Sequence, residues 1–208
     1  GSEMCIRDRN KLTTNYTFFM REKEHLDYFC NNIIPEIVRR HERDKTLAIW
    51  SAGCSSGEEP YNITMFLYDY LGSRAKDWDT RILATDISAQ ALASARRGTY
   101  NLPDTIPADW KRKYFTPGRD GTHTVTPAVK DNVIFQTFNL MDPIKFRRKF
   151  DVIFCRNVMI YFDQPTKDAL VRRFYDATVP SGYLLISASE NLSQNAPYRR
   201  LATATFQK

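Results

Sequence analysis

The chain has 208 residues, 30 Lys and Arg against 24 Asp and Glu, and a net charge of +6, enough length for one large domain with a real core and an ordinary soluble composition. No run of about 18 apolar residues reads as a membrane span, and no basic-then-apolar secretory segment opens the chain. The four cysteines (Cys5, Cys30, Cys54, Cys155) stand far apart with no C-x-x-C pair and only three histidines beside them, so they read as reduced thiols of a cytoplasmic protein with no metal site.

Gly1 and Ser2 read as a remnant of tag removal, and residues 1–10 carry no apolar pattern, so they are expected to be tag-derived or disordered. Residues 11–46 are expected to form a helical lead-in. Leu26, Phe29, Ile33, Ile34, Ile37 and Val38 recur at spacings of three and four, and Pro35, with no N–H, predicts two short helices, the second starting near it. Residues 47–52 read as a buried strand that stops at "SAGCSSGEEP", two glycines and two carboxylates before a helix-opening proline. The helix over 60–71 turns Ile63, Phe66, Leu67 and Tyr70 inward and ends at Gly72. "TRILATDIS" is the next strand, finishing at Asp86, with Ser88 placed to cap the helix that Gly98 closes.

This alternation predicts an α/β fold, a Rossmann-like, mostly parallel sheet covered on both faces, spanning residues 47–208. The pattern changes over 99–132, where four prolines and the glycines Gly118 and Gly121 predict a small inserted antiparallel β-subdomain at about 107–132, followed by a core strand over 133–138. "KFDVIFCRN" is a further buried strand, Asp163 is placed to cap the next helix, and Pro180 and Gly182 turn the chain into "YLLISAS". "RLATATFQ" alternates as a last strand, antiparallel at the sheet edge.

The chemistry gathers at strand ends. Gly53 and Gly57 do not fit the G-x-G-x-x-G spacing of dinucleotide binders, and Glu58 and Glu59 stand where a pyrophosphate would need bare backbone. Two carboxylates repel phosphate and welcome a cation, such as a sulfonium with an amino acid tail; the alternative is a tight strand-to-helix connection. Asp86 either accepts both hydroxyls of a ribose or caps the following helix, and Ser88 beside it favours the ribose. Asn139 and Leu140 can read an adenine edge and pack on its ring, or simply form a turn. Arg156 and Asn157 lie at the end of the fourth strand with Tyr161 four residues on, facing a cleft or ending the core. In "TNYTFFMRE", Asn15, Thr17 and Arg21 interleave with Phe18 and Phe19; Arg21 can hold a carboxylate by a two-pronged hydrogen bond or lie solvated on a helix start.

Taken together, "TNYTFFMRE", "IWSAGCSSGEEPYN", "ILATDIS", "ARRGTY", "FQTFNL", "FDVIFCRNVMIYFD" and "SGYLLISASE" resemble the CheR-type chemotaxis protein-glutamate methyltransferases, in the family's order over roughly residues 13–206. The resemblance implies S-adenosylmethionine as methyl donor, S-adenosylhomocysteine as product, and chemoreceptor glutamates on a cytoplasmic helical domain as acceptors. By motif match, Asn15, Thr17 and Arg21 belong around the methionine end and the methyl group. Glu58 belongs to the pocket for the cofactor's amino acid part, Gly53 to the cofactor site, Asp86 to the ribose, Asn139 and Leu140 to the adenine. Arg156, Asn157 and Tyr161 lie along the cofactor and acceptor side, with Arg21 orienting the acceptor and Tyr161 fixing it by hydrogen bonding.

The family's N-terminal helical domain is expected to be missing, leaving either a catalytic domain or a short member. The loop "TPGRDGTH" looks a few residues shorter than in members that grip a receptor's tethering peptide, so a high-affinity grip is doubtful. A monomer without membrane insertion or nucleic-acid binding is expected, since the basic residues form no stripe with interleaved aromatics. Two other readings stay open: a methyltransferase acting on RNA or a small molecule, and a module that senses the cofactor without catalysis.

Overall fold

Five parallel strands form the centre of the protein in the computed structural model, which describes residues 17–208. Asn15 lies outside the described residues. The sheet has seven strands in the order β6-β2-β1-β7-β8-β10-β9, where β1 is Ile49–Ala52, β2 Ile82–Asp86, β6 Val133–Thr137, β7 Phe150–Cys155, β8 Thr178–Ile186, β9 Arg199–Ala202 and β10 Thr205–Gln207. β6, β2, β1, β7 and β8 run parallel, while β10 and β9 finish the sheet antiparallel. β1 and β7 are buried along their whole lengths, as strands covered on both faces must be, and this is why both read as largely apolar, interrupted only by the buried Ser51 and Asp151.

On one face Trp50, Ile153 and Leu184 pack against Leu170 and Phe174 of α7 (Gln164–Asp176). Trp50 is fully buried among the rings of Phe138, Phe146, Phe150 and Phe174, and its Nε1 donates to Thr85 Oγ1 at 2.9 Å, so the indole's polar end is satisfied. On the other face Ile49, Val152 and Phe154 meet Phe29, Ile33 and Ile37 from the N-terminal helices and Ile63 and Leu67 of α3 (Glu58–Leu71).

The N-terminal helices are α1 (Lys23–Tyr28) and α2 (Ile34–Arg40). They are joined by a π-helical turn over Phe29–Ile33 with no break in helical backbone. The second helix starts beside Pro35 as expected, but the chain runs on through a wider turn, which accommodates the proline ring and its missing donor. Ser88 accepts from Ala91 N at 3.1 Å to cap α4 (Ala89–Arg97), and Asp163 accepts from Thr166 N at 2.9 Å to cap α7.

Four expectations need correction. Tyr70, expected to turn inward from α3, is 40% exposed. The strand over 133–138 is an edge strand rather than a core one, ending at Thr137 with Ile134 47% exposed; its alternating side chains cover only one face. "RLATATFQ" is a hairpin of β9 and β10, because the chain reverses at Ala204 with φ 48. Pro180 and Gly182 do not end a turn before β8; they lie within it, where its register against β7 shifts, a bulge being where a strand tolerates proline.

The antiparallel subdomain is present, but it takes in β3 (Thr99–Tyr100) ahead of the expected start. Its order is β3-β5-β4, with β4 Phe115–Pro117 and β5 His123–Val125. Asp69 of α3 ties it down, accepting Trp110 Nε1 at 2.6 Å, Lys113 Nζ at 3.0 Å and the Tyr114 hydroxyl.

Candidate functional site

Strand order reverses between β1 and β7, the place where an open α/β sheet leaves a crevice beyond its C-terminal strand ends. A cavity of 730 Å³ lies there. Its floor is the turn after β1. Gly53 has φ 78 and Ser55 φ 50, and the N–H groups of Gly53 and Cys54 both donate to Thr85 O at 2.8 Å. That pair of hydrogen bonds hooks the turn over the end of β2 and brings it against Asp86.

Asp86 is buried, and each of its carboxylate oxygens takes one backbone donor: Ser55 N to Oδ2 at 2.8 Å and Ser88 N to Oδ1 at 2.9 Å. Ser88, rather than Asp86, caps the helix. A carboxylate so held keeps lone pairs for further donors, and Asp86 lines the cavity.

Thr17, Arg21, Gly53, Asn139, Leu140, Arg156, Asn157 and Tyr161 line the same cavity. The structure therefore brings together every expected site residue within 17–208 except Glu58. Glu58 lies outside the lining; its carboxylate turns back to accept the Ser56 hydroxyl at 2.8 and 2.7 Å, and burial pushes its pKa up. Its neighbour Glu59 takes the lining position, since one helical step rotates a side chain by about 100°. Glu59 accepts Ser51 Oγ at 2.7 Å and stands 3.5 Å from Arg156 Nη1. Burial raises its pKa, against the pull of Arg156.

Arg156 lines the cavity as expected, with partners that the sequence did not name. Its side chain is 3% exposed and its guanidinium is engaged by protein: Nε lies 3.2 Å from Glu22 Oε2, Nη2 donates to Arg21 O, and Nη1 faces Glu59. Asn157, at φ 61, accepts Ser187 Oγ at 3.0 Å. Asn139 accepts Met141 N at 3.0 Å and Leu140 is buried beneath it. Phe18, Met141 and Tyr161 are about two-fifths exposed (40%, 38% and 41%) and line the cavity, forming an apolar rim.

Glu22 and Asn62 are the residues that sequence reasoning missed, and Glu59 was seen only as the partner of Glu58. Asn62 Oδ1 accepts Met20 N at 2.6 Å and fixes the segment before α1. The second carboxylate of "GEEP" was visible as a pair with the first, but only the helical phase chooses between them. Among the described residues no group of three or more His, Cys, Asp or Glu is arranged to hold a metal ion, and no helix is long and apolar enough to cross a membrane.

The residues fit a nucleoside with a cationic amino acid tail. Asp86 presents acceptors for a diol, Leu140 and Phe138 offer apolar surface, and Gly53 lines the cavity with bare backbone, with no room for a Cβ, which would lie 2.4 Å from Val158 Cγ2. Comparison with known proteins agrees. A family model described as CheR methyltransferase, SAM binding domain, matches residues 15–207. The chain is 40% identical to a chemotaxis protein methyltransferase of Borreliella burgdorferi, covering 100% of this chain and 75% of that one. It is 38% identical to a probable chemotaxis protein methyltransferase of Rhizobium etli, covering 90% and 71%. Against the chemotaxis protein methyltransferase of Salmonella typhimurium the identity is 38%, over 88% of this chain and 63% of that one.

Proposed function

The chain belongs to the CheR methyltransferase family, and from that premise we propose that it transfers a methyl group from S-adenosylmethionine to glutamate side-chain carboxylates of chemoreceptors. The products are glutamyl methyl esters and S-adenosylhomocysteine, and the role is chemotaxis adaptation. The observation that carries this reading is one cavity lined by Gly53, Asp86, Leu140, Arg21 and Tyr161 together.

In this reading Asp86 takes the ribose hydroxyls, and Leu140 and Asn139 take the adenine. Gly53 lets the backbone approach the cofactor, and Thr17 and Arg21 lie toward its methionine end, with Asn15 in the same motif. Glu59, paired with Arg156, stands in the place first assigned to Glu58. Asn157 lies between the cofactor and acceptor sides.

Bound S-adenosylmethionine supplies a methyl group on a cationic sulfur, already activated for transfer. The acceptor glutamate has an ordinary pKa of about 4.3 and is ionised at neutral pH, so the protein needs no strong base. What it must do is align the acceptor oxygen and keep water out. Arg21 orients the acceptor carboxylate by a two-pronged, charge-assisted hydrogen bond, at some cost to its nucleophilicity. The Tyr161 hydroxyl fixes its position. Phe18, Met141 and Tyr161 at the rim are the apolar surfaces that displace water when the acceptor docks. The acceptor is a segment of a chemoreceptor's cytoplasmic helical domain, met by a monomer in the cytoplasm.

The test is transfer of labelled methyl to receptor cytoplasmic fragments. Label that survives nuclease and is released as methanol by mild base supports the carboxyl ester. Label in RNA, or binding of S-adenosylhomocysteine with no turnover on any fragment, contradicts it.

A further inference from the structure

The segment 17–22 crosses one wall of the cavity as a strap, and its backbone is held in an unfavourable form. Met20 has φ 60 and Glu22 φ 54, left-handed conformations that non-glycine residues keep only when their surroundings impose them. The strap divides its side chains between cavity and protein. Thr17, Phe18 and Arg21 line the cavity, while Phe19 and Glu22 face the protein. Phe19 is 2% exposed, with edge-on ring contacts to Tyr100 and Phe115 at 5.0 and 5.5 Å.

Glu22 is the strap's polar anchor. Its Oε2 lies 3.2 Å from Arg156 Nε, and its Oε1 accepts Ala188 N at 3.2 Å, with Ser187 Oγ 3.3 Å away. The same guanidinium donates to the carbonyl of Arg21 and faces Glu59 across the cavity floor. One buried cation thus ties the strap, through Glu22 and the Arg21 backbone, to the helix that opens after the β1 turn.

We propose that Glu22 is a positioning residue: clamped on Arg156, it fixes the left-handed strap so that Arg21 is aimed into the cavity. It acts through Arg21 and touches neither cofactor nor acceptor. Burial alone would raise the pKa of Glu22, but His25 Nδ1 at 3.4 Å, Arg156 and the Ala188 N–H outweigh it and hold the carboxyl at about 2. The clamp is therefore charged throughout the working pH range. The inference rests on reading the cavity as the S-adenosylmethionine seat.

The experiment is a double-mutant cycle on the affinity for S-adenosylhomocysteine, measured by calorimetry on the wild type, Glu22→Ala, Arg21→Ala and the double variant, with melting followed in parallel. Glu22→Ala should weaken binding roughly tenfold, the size of a lost charge-assisted hydrogen bond. In the Arg21→Ala background it should cost less than about twofold, because there is no longer a side chain to aim. Glu22→Asp, which keeps the charge, should recover part of the loss and serves as the reporter if Glu22→Ala does not fold. Independent, additive losses, or no loss from Glu22→Ala, overturn the proposal. A wild type that does not bind S-adenosylhomocysteine at all takes down the reading of the cavity itself, and this inference with it.

Discussion

Replacing Gly53 with alanine tests the turn on which the site is built. Two costs can be separated. At φ 78 an L side chain pays about 1–2 kcal/mol for the left-handed backbone. The added Cβ also lands 2.4 Å from Val158 Cγ2, with Val158 Cβ and Cγ1 both at 3.5 Å. Val158 must therefore move, and overpacking of this kind costs about 1–3 kcal/mol. Gly53→Ala should lose about 2–5 kcal/mol in urea unfolding, the sum of those ranges. Val158→Ala removes the colliding methyl, so in that background Gly53→Ala should cost only the backbone part. The cycle then yields a coupling of about 1–3 kcal/mol. Strictly additive losses would refute the reasoning, since they would mean that the two residues do not meet across the turn.

Asp86→Asn should weaken S-adenosylhomocysteine binding by tenfold or more and lower the melting midpoint as well, because an amide sets an NH₂ against either Ser55 N or Ser88 N; calorimetry and thermal melting read the two effects separately. Arg21→Ala and Tyr161→Phe should both lower methyl transfer to receptor fragments, and full activity in both would remove them from the mechanism. His41, at the opposite end of the sheet, should make stability pH-dependent. Burial would lower its pKa, but the carboxylates of Asp151, 2.8 Å from Nε2, and Asp44 outweigh that and raise it above 6.5. A group raised on folding stabilises fully below its unfolded pKa, and that contribution is lost as pH rises through the folded value. Urea midpoints should therefore fall as pH climbs past 6.5 in the wild type, and His41→Gln should flatten that slope.

The strands buried on both faces were readable as apolar runs, because a central parallel strand has no polar side to show. The edge was harder. β6 keeps its apolar residues although one face is open, so Ile134 gave no sign of being exposed. The hairpin of β9 and β10 has no glycine at its bend, Ala204 taking the positive φ itself, and a turn without its usual residue reads as continuous strand. In the site, residues at strand ends were legible one by one, since the topology fixes where strand ends go. Helical phase decided between Glu58 and Glu59, and doublets do not reveal phase. Arg156 was visible as a polar residue at a strand end, but its partners Glu22 and Glu59 are 134 and 97 positions away in sequence, and only the fold brings them together.

A crystal structure with S-adenosylhomocysteine tests the central claim most directly. The account predicts both ribose hydroxyls on the Asp86 carboxylate, the adenine against Leu140, and the sulfur facing the side on which Arg21 and Tyr161 stand. A ligand seated elsewhere, or with its ribose away from Asp86, would contradict it.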